Sequence, residues 1–206
     1  MARLEFFFDL SSPWTYMAFH NIQPILDETG AEVTWKPFLV GGVFNAVNQA
    51  VYASREDMTG PKARHYAKSL NDWAAWSGLP MNFPSPHHPV RSVHAMRACC
   101  ALEDDQETLH RFATAAFAAY FDEQKNLDEP EVLAKIADSI GLDGADLIAQ
   151  TQTEPIKARL RANTDEVIVR GGFGSPSIFV DGGDMYFGND QLPLVERALS
   201  GGGETG

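Results

Sequence analysis

The stretch Phe8-Asp9-Leu10-Ser11-Ser12-Pro13-Trp14-Thr15-Tyr16 decides the fold. Behind it, Leu4 to Phe8 is a short apolar run rich in aromatics, which predicts a buried strand. Ahead of it, Ser12 before Pro13 marks a helix start. A hydroxyl stands at the N-cap, and a ring presets φ at the first helical position. The helix is predicted over 13–29, closed by Gly30 as a left-handed cap. Glu32 to Phe38 then alternates, with Val33 and Trp35 on one side, as a second strand. The Ser11-Ser12 turn leaves the C-terminal end of the first strand, where open α/β sheets place their ligands.

The other end of the chain is also β-rich. Gly174-Ser-Pro-Ser-Ile-Phe-Val180 predicts a strand entered through Ser175-Pro176. Asp181-Gly182-Gly183 is a hairpin turn, and Met185-Tyr-Phe187 is the paired strand. Gly188-Asn189-Asp190 leads into a last helix over 191–199. Between the two ends, 39–57 reads as loop around Gly41-Gly42 and Asn48. A helical pattern runs from Gly60 to Gly78, and Phe83-Pro-Ser-Pro-His-His-Pro89 must be irregular. Further helices are predicted over about 91–103, 105–121, 129–140, 144–152 and 153–170. Strand–helix–strand followed by strand–hairpin–strand–helix is the order of a thioredoxin-like α/β fold carrying an inserted all-helical block. The expected division is 1–59 with 153–200 as a discontinuous thioredoxin-like domain, 60–152 as the helical insertion, and 201–206 as a flexible tail.

Composition narrows the function classes. The 206 residues carry a net charge of −12, so no global field draws nucleic acid or an anionic membrane. A small anion can still bind, because donors at a helix end act locally. The two cysteines, Cys99 and Cys100, are adjacent, with neither CxxC nor zinc spacing. They read as small apolar residues in a helix, which predicts a reduced, cytoplasmic protein. His87-His88 has no further ligand in register, so no metal site is expected. The first residues show no signal-peptide core, and no apolar run approaches a membrane span.

The motif around Ser12 resembles the first motif of the 2-hydroxychromene-2-carboxylate isomerases and kappa-class glutathione transferases. Gly174-Ser-Pro176-Ser-Ile-Phe-Val180 with Met185-Tyr-Phe-Gly-Asn-Asp190 resembles their second motif. Pro37-Phe38-Leu39, Gly41-Gly-Val-Phe44, Trp73 and Gly78-Leu-Pro80 extend the likeness through the middle. The resemblance implies a DsbA-like thioredoxin fold, glutathione as cofactor, and a homodimer. It implies a glutathione-dependent cis–trans isomerase acting on an aromatic unsaturated ketoacid, a small aromatic carboxylate. A kappa-like transferase or peroxidase, and a non-catalytic thiol-binding protein, stay open beside it.

Within that resemblance Ser12 takes the place of the first cysteine of CxxC in redox relatives, and Thr15 the place of the second. Serine and threonine form no disulfide, so dithiol exchange is excluded here. The helix N-terminus still supplies unpaired N–H donors and a positive partial charge, which lower a thiol pKa. Ser12 is therefore expected to donate to the glutathione thiolate; from the residues alone it is equally a simple N-cap. The resemblance makes Pro176 a cis proline, with the Ser175 backbone pairing to the cysteinyl part of glutathione. Asn189 and Asp190 are assigned to the γ-glutamyl end, and Asn48 to a further glutathione contact, with Asn45 where the family carries lysine. Lys62 or Arg64 is a candidate for the glycyl carboxylate, or is solvated charge. Trp14, Phe44 and Trp73 are read as walls of an aromatic substrate pocket or as core. Arg91 is read as a partner of a substrate carboxylate or of a surface acid.

Overall fold

The computed structural model describes residues 2–51, 60–183 and 185–201. Part of the segment expected to be loop, and nearly all of the expected tail, lie outside the described residues.

Four strands form the sheet: β1 (Arg3–Phe8), β2 (Glu32–Pro37), β3 (Ser177–Val180) and β4 (Met185–Phe187). Their order is β2-β1-β3-β4. The β1–β2 pair is parallel, with Phe6 opposite Trp35; β3 runs antiparallel to β1 and β4 antiparallel to β3. This is a thioredoxin-type sheet, as the order of elements predicts. β1 is central and alternates between two buried faces. Leu4, Phe6 and Phe8 enter one apolar cluster, and Phe7 enters another with Phe38, Val43, Val167 and Phe179.

The larger cluster packs α1 (Pro13–Asn21) and α10 (Leu192–Leu199) against the sheet together with helices from the middle of the chain. Those helices are α5 (Val93–Ala101), α6 (Gln106–Phe121), α7 (Pro130–Ser139) and α8 (Gly144–Gln150), whereas α4 (Pro61–Ser77) packs through Leu70 and Ala74 on Met17 of α1 in a separate cluster. α6 contributes Leu109, Phe112, Phe117, Tyr120 and Phe121, all fully buried. Tyr16 stacks on Phe121 at 5.1 Å between ring centres. Gln106 covers the free edge of β2, accepting from Trp35 N at 2.6 Å and donating to Trp35 O at 3.3 Å. Its amide supplies the hydrogen bonds a neighbouring strand would make. Helices α5 to α8 thus share their core with the sheet.

The other face is covered by α3 (Val40–Val47) and α9 (Glu154–Val169). α3 corrects the loop expected after residue 39. Gly41-Gly42 argues against a helix locally, but tertiary contacts override it. The Leu39 N–H donates to Thr164 Oγ1 at 3.0 Å and the Val40 N–H to Asp9 Oδ2 at 2.8 Å, so the helix start has its acceptors. A side chain at Gly42 would meet Thr164 Cγ2 at 3.0 Å, so glycine permits the close approach to α9. A second correction concerns 13–29. The helix breaks at Ile22 into α1 and α2 (Gln23–Thr29), because Pro24 has no N–H to return to the preceding turn.

Candidate active site at the head of the first helix

Every backbone donor from Asp9 to Tyr16 can be followed. Asp9 N donates to Ser175 Oγ at 2.9 Å and Leu10 N to Met96 Sδ at 3.3 Å. Ser11 N donates to Asp9 Oδ1 at 2.9 Å, and Ser12 N to the Asp9 carbonyl at 3.3 Å. Pro13 has no N–H. Thr15 N is capped by Ser12 Oγ at 3.2 Å, and Tyr16 N donates to the Ser12 carbonyl at 3.1 Å. The Trp14 N–H is the donor of this turn that has no partner among the described residues. It belongs to the first turn of a nine-residue helix whose first turn carries no acidic residue. An open donor and an unopposed helix dipole make this end attractive to an anion.

Ser12 is half-buried at the N-cap, so it does cap the helix as its residue type predicts. Its hydroxyl also donates to the Ser175 carbonyl at 3.1 Å. The Ser175-Pro176 bond is cis, matching the expectation. The Ser175 side chain turns inward, accepting from Asp9 N and sharing a 2.7 Å hydrogen bond with Thr15 Oγ1. Thr15 is fully buried and holds this loop by its hydroxyl.

Asp9 is the residue that sequence reasoning passed over. It is fully buried, yet its carboxylate accepts four hydrogen bonds. Ser11 Oγ at 2.8 Å and Ser11 N reach Oδ1, while Val40 N and Ser92 Oγ at 2.9 Å reach Oδ2. Burial raises its pKa, and the hydrogen bonds from Ser11, Val40 and Ser92 oppose that rise. Asp9 thereby ties the Ser12 turn to the start of α3 and to the residue that opens α5. The available signal was an acidic residue directly after a buried strand, where a carboxylate must find donors.

The remaining candidates are dispersed. Asn48 donates to the Phe173 carbonyl at 3.0 Å, next to the cis-proline loop in sequence. Asp190 is exposed in a short 3-10 turn, Asn189–Gln191. The Asn189 side chain is buried and faces the far end of α1, accepting from Asn21 Nδ2 at 2.8 Å. Trp14 packs edge-on to Tyr66 at 5.9 Å, whereas Trp73 packs edge-on to Trp76 at 5.3 Å. Tyr66 and Trp73 stand seven positions apart on α4, about 10 Å along a helix. Phe44 packs against the cluster on the opposite sheet face. Trp14 and Trp73 both pack against the cluster of Met17, Leu70 and Ala74, so of the three aromatics expected as one pocket wall it is Phe44 that stands apart. Arg91 is largely exposed, 4.0 Å from Asp128 Oδ2. Lys62 and Arg64 lie exposed in the first turn of α4. His88 Nδ1 lies 3.3 Å from Tyr120 Oη, and no cluster of three potential metal ligands exists among the described residues. No helix of the described residues is long and apolar enough to cross a membrane.

Comparison with known proteins supports the fold. The chain is 26% identical over 197 residues to a 2-hydroxychromene-2-carboxylate isomerase of Sphingobium xenophagum, covering 95% of this chain and 97% of that one. It is 25% identical over 208 residues to glutathione S-transferase kappa 2 of Caenorhabditis elegans, covering 96% and 91%. A solved 2-hydroxychromene-2-carboxylate isomerase superposes with a TM-score of 0.80 at 22% identity, over 96% of this chain and 94% of that one. The cytosolic disulfide reductase DsbM of Pseudomonas aeruginosa, solved with GSH, superposes with a TM-score of 0.65 at 18% identity, over 96% of both chains. The model of the DSBA-like thioredoxin domain matches residues 3–200, and the chain belongs to that family.

Proposed function

We propose that this chain is a glutathione-dependent cis–trans isomerase of the 2-hydroxychromene-2-carboxylate isomerase type, acting on a small aromatic unsaturated ketoacid. The observation that carries the reading is the head of α1. Ser12 offers a hydroxyl and Trp14 an open N–H, while no acidic residue occupies the first turn and no thiol stands at position 15. That donor set suits a thiolate that must be stabilised without being consumed in a disulfide.

Glutathione, when bound, supplies a nucleophilic sulfur that adds reversibly to an unsaturated carbonyl compound. The chain's own residues do the rest. Rotation of the Ser12 hydroxyl away from the Ser175 carbonyl turns it toward the thiolate, while the Trp14 N–H and the helix dipole add to its stabilisation. The carbonyl released at Ser175 becomes an acceptor for the cysteinyl N–H of the tripeptide, in the manner of an added strand. Exposed Asp190 is assigned to the γ-glutamyl ammonium, and Asn48 to a further contact from the α3 side. A cytoplasmic homodimer belongs to the same reading.

The relatives also include kappa-class transferases, so a transferase or peroxidase activity is the second reading. Turnover of a cis-configured aromatic ketoacid with thiol titrated in parallel separates the two. Unchanged thiol supports isomerisation; stoichiometric loss supports transfer. The shared premise is tested by the ultraviolet thiolate absorbance of the glutathione complex. The wild type should hold the thiol below its free value of about 8.5. Ser12→Ala should raise it. Equal thiol pKa values in both proteins overturn the assignment of Ser12, and failure of glutathione to bind at millimolar concentration overturns the whole reading.

A further inference from the structure

A second site lies at the opposite end of α1, about 13 Å along the helix from Ser12. A groove of about 510 Å³ opens there. Its apolar walls are Trp73 and Trp76 from α4, Pro24 and Ile25 from α2, and Leu192 and Pro193 from α10. Trp76 is 75% exposed, which is costly for an indole with nothing over it. Asn189 lines the groove although only 2% of it is accessible, and its Nδ2 is buried without a hydrogen-bond partner.

The direction of that unpaired group follows from its neighbours. The Trp73 carbonyl can only accept, so the Ser77 hydroxyl donates to it at 2.7 Å. Ser77 Oγ then accepts from Asn21 Nδ2 at 2.8 Å. The same Asn21 amide donates its second hydrogen to Asn189 Oδ1 at 2.8 Å. The chain of donors, anchored on a backbone carbonyl, leaves Asn189 presenting N–H. A buried unpaired amide costs roughly as much as a lost hydrogen bond, so an acceptor delivered to it is favoured. Asp27 and Glu196 place two carboxylates on the lining against a single histidine, His20, which disfavours an anion.

We infer that this groove binds a neutral, flat, apolar compound carrying one hydrogen-bond acceptor, of the class of aromatic ketones and esters. The indoles of Trp73 and Trp76 hold its ring, and Asn189 Nδ2 donates to its oxygen. Ser12 does not line this groove, and binding there needs no glutathione.

Acetylnaphthalene, ethylnaphthalene and naphthoate, titrated into the full chain without glutathione, test it by tryptophan fluorescence. The Asn189 side-chain amide is followed by nuclear magnetic resonance. The ketone should quench emission, shift the Asn189 amide, and bind about tenfold more tightly than the hydrocarbon. The anion should bind more weakly than the ketone. Trp76→Ala, an exposed position whose loss spares the core, should weaken ketone binding about tenfold or more, while Ser12→Ala should leave it unchanged. The inference fails if ketone and hydrocarbon bind alike, if the anion binds best, or if Trp76→Ala binds as the wild type does. It also fails if Trp76→Ala dissociates a dimer while the ketone binds neither form, because the groove is then a seam between two copies.

Discussion

Ser12 Oγ donates to the carbonyl oxygen of Ser175 across 3.1 Å, joining the head of α1 to a loop 163 residues further along the chain. The same oxygen caps Thr15 N. Ser12→Ala removes both hydrogen bonds. The expected loss is about 1–2 kcal/mol of unfolding free energy, from one lost cap and one lost hydrogen bond. Urea denaturation measures it. An unchanged midpoint would show that neither bond matters to the folded state.

Thr15 stands three residues after Ser12 and shares a 2.7 Å hydrogen bond with Ser175 Oγ. Positions three apart at a helix start lie on one side of the helix, within the Cα separation a disulfide spans. The double variant Ser12→Cys/Thr15→Cys is expected to form a reversible disulfide and to gain insulin-reducing activity. Alkylation followed by gel shift reads the disulfide directly. Persistent free thiols under oxidising glutathione would contradict the placement of these two positions.

Asp9 carries both a stability and a pH prediction. Asp9→Ala leaves the Val40 and Ser11 N–H groups without their acceptor, with an expected cost of at least about 2 kcal/mol. The folded-state pKa is raised above the ordinary value of 3.8, chiefly by burial. The native state therefore binds the Asp9 proton more readily than the unfolded chain does. The Asp9 contribution to stability falls as pH rises from 3.8 to the raised value. The difference in unfolding free energy between the wild type and Asp9→Asn, followed across acid pH, should decline through that window. A flat difference curve would mean that Asp9 titrates alike in both states.

Glu5, Lys36, Glu166 and Arg170 form a charged group against the sheet on the side of Phe7, with Arg170 2.7 Å from Glu5 and its guanidinium 3.8 Å from the Phe179 ring centre. The hydrogen bond from Arg170 is the largest cause lowering the Glu5 pKa below its ordinary 4.5. A lowered carboxylate pKa stabilises the fold above 4.5 and loses that contribution as pH falls through the folded value. Arg170→Met should therefore cost more at neutral pH than in acid. The gap should stay above zero in acid, where the contact of the guanidinium with Phe179 persists. An equal cost at both ends of the titration would exclude the ion pair as its source.

Cys99 and Cys100 are fully buried, and burial pushes both thiols up. Neither should react with an aromatic disulfide reagent in the native protein, and both should react in guanidinium. Rapid labelling of the native chain would contradict their burial.

The sequence by itself determined the features that depend on neighbours a few residues apart. Ser12 before Pro13 specifies a capped helix start, Thr15 removes dithiol chemistry, and Gly30 and Gly78 close helices in left-handed conformations, at φ 63° and 66°. The aromatic-rich run from Leu4 to Phe8, the alternation from Glu32 to Phe38 and the turn after Val180 place the strands. Such signals are local because capping, turn geometry and periodicity are set within one or two turns of backbone. Only the tertiary structure decided the rest. The acceptors that permit a helix over Val40–Val47 come from Asp9 and Thr164, which no pattern near Gly41-Gly42 reveals. Asp9 is the hub of the site because Val40, Ser92 and Ser175 converge on it from 31, 83 and 166 residues away. Trp73 and the Asn189 side chain looked like parts of the site at Ser12. The packing of α4 and of the 3-10 turn beside α1 brings both to the groove at its other end, while Trp73 also packs with Trp14 against the Met17 cluster. A side chain's residue type states what it can bond to; which partner arrives is a property of the packed chain.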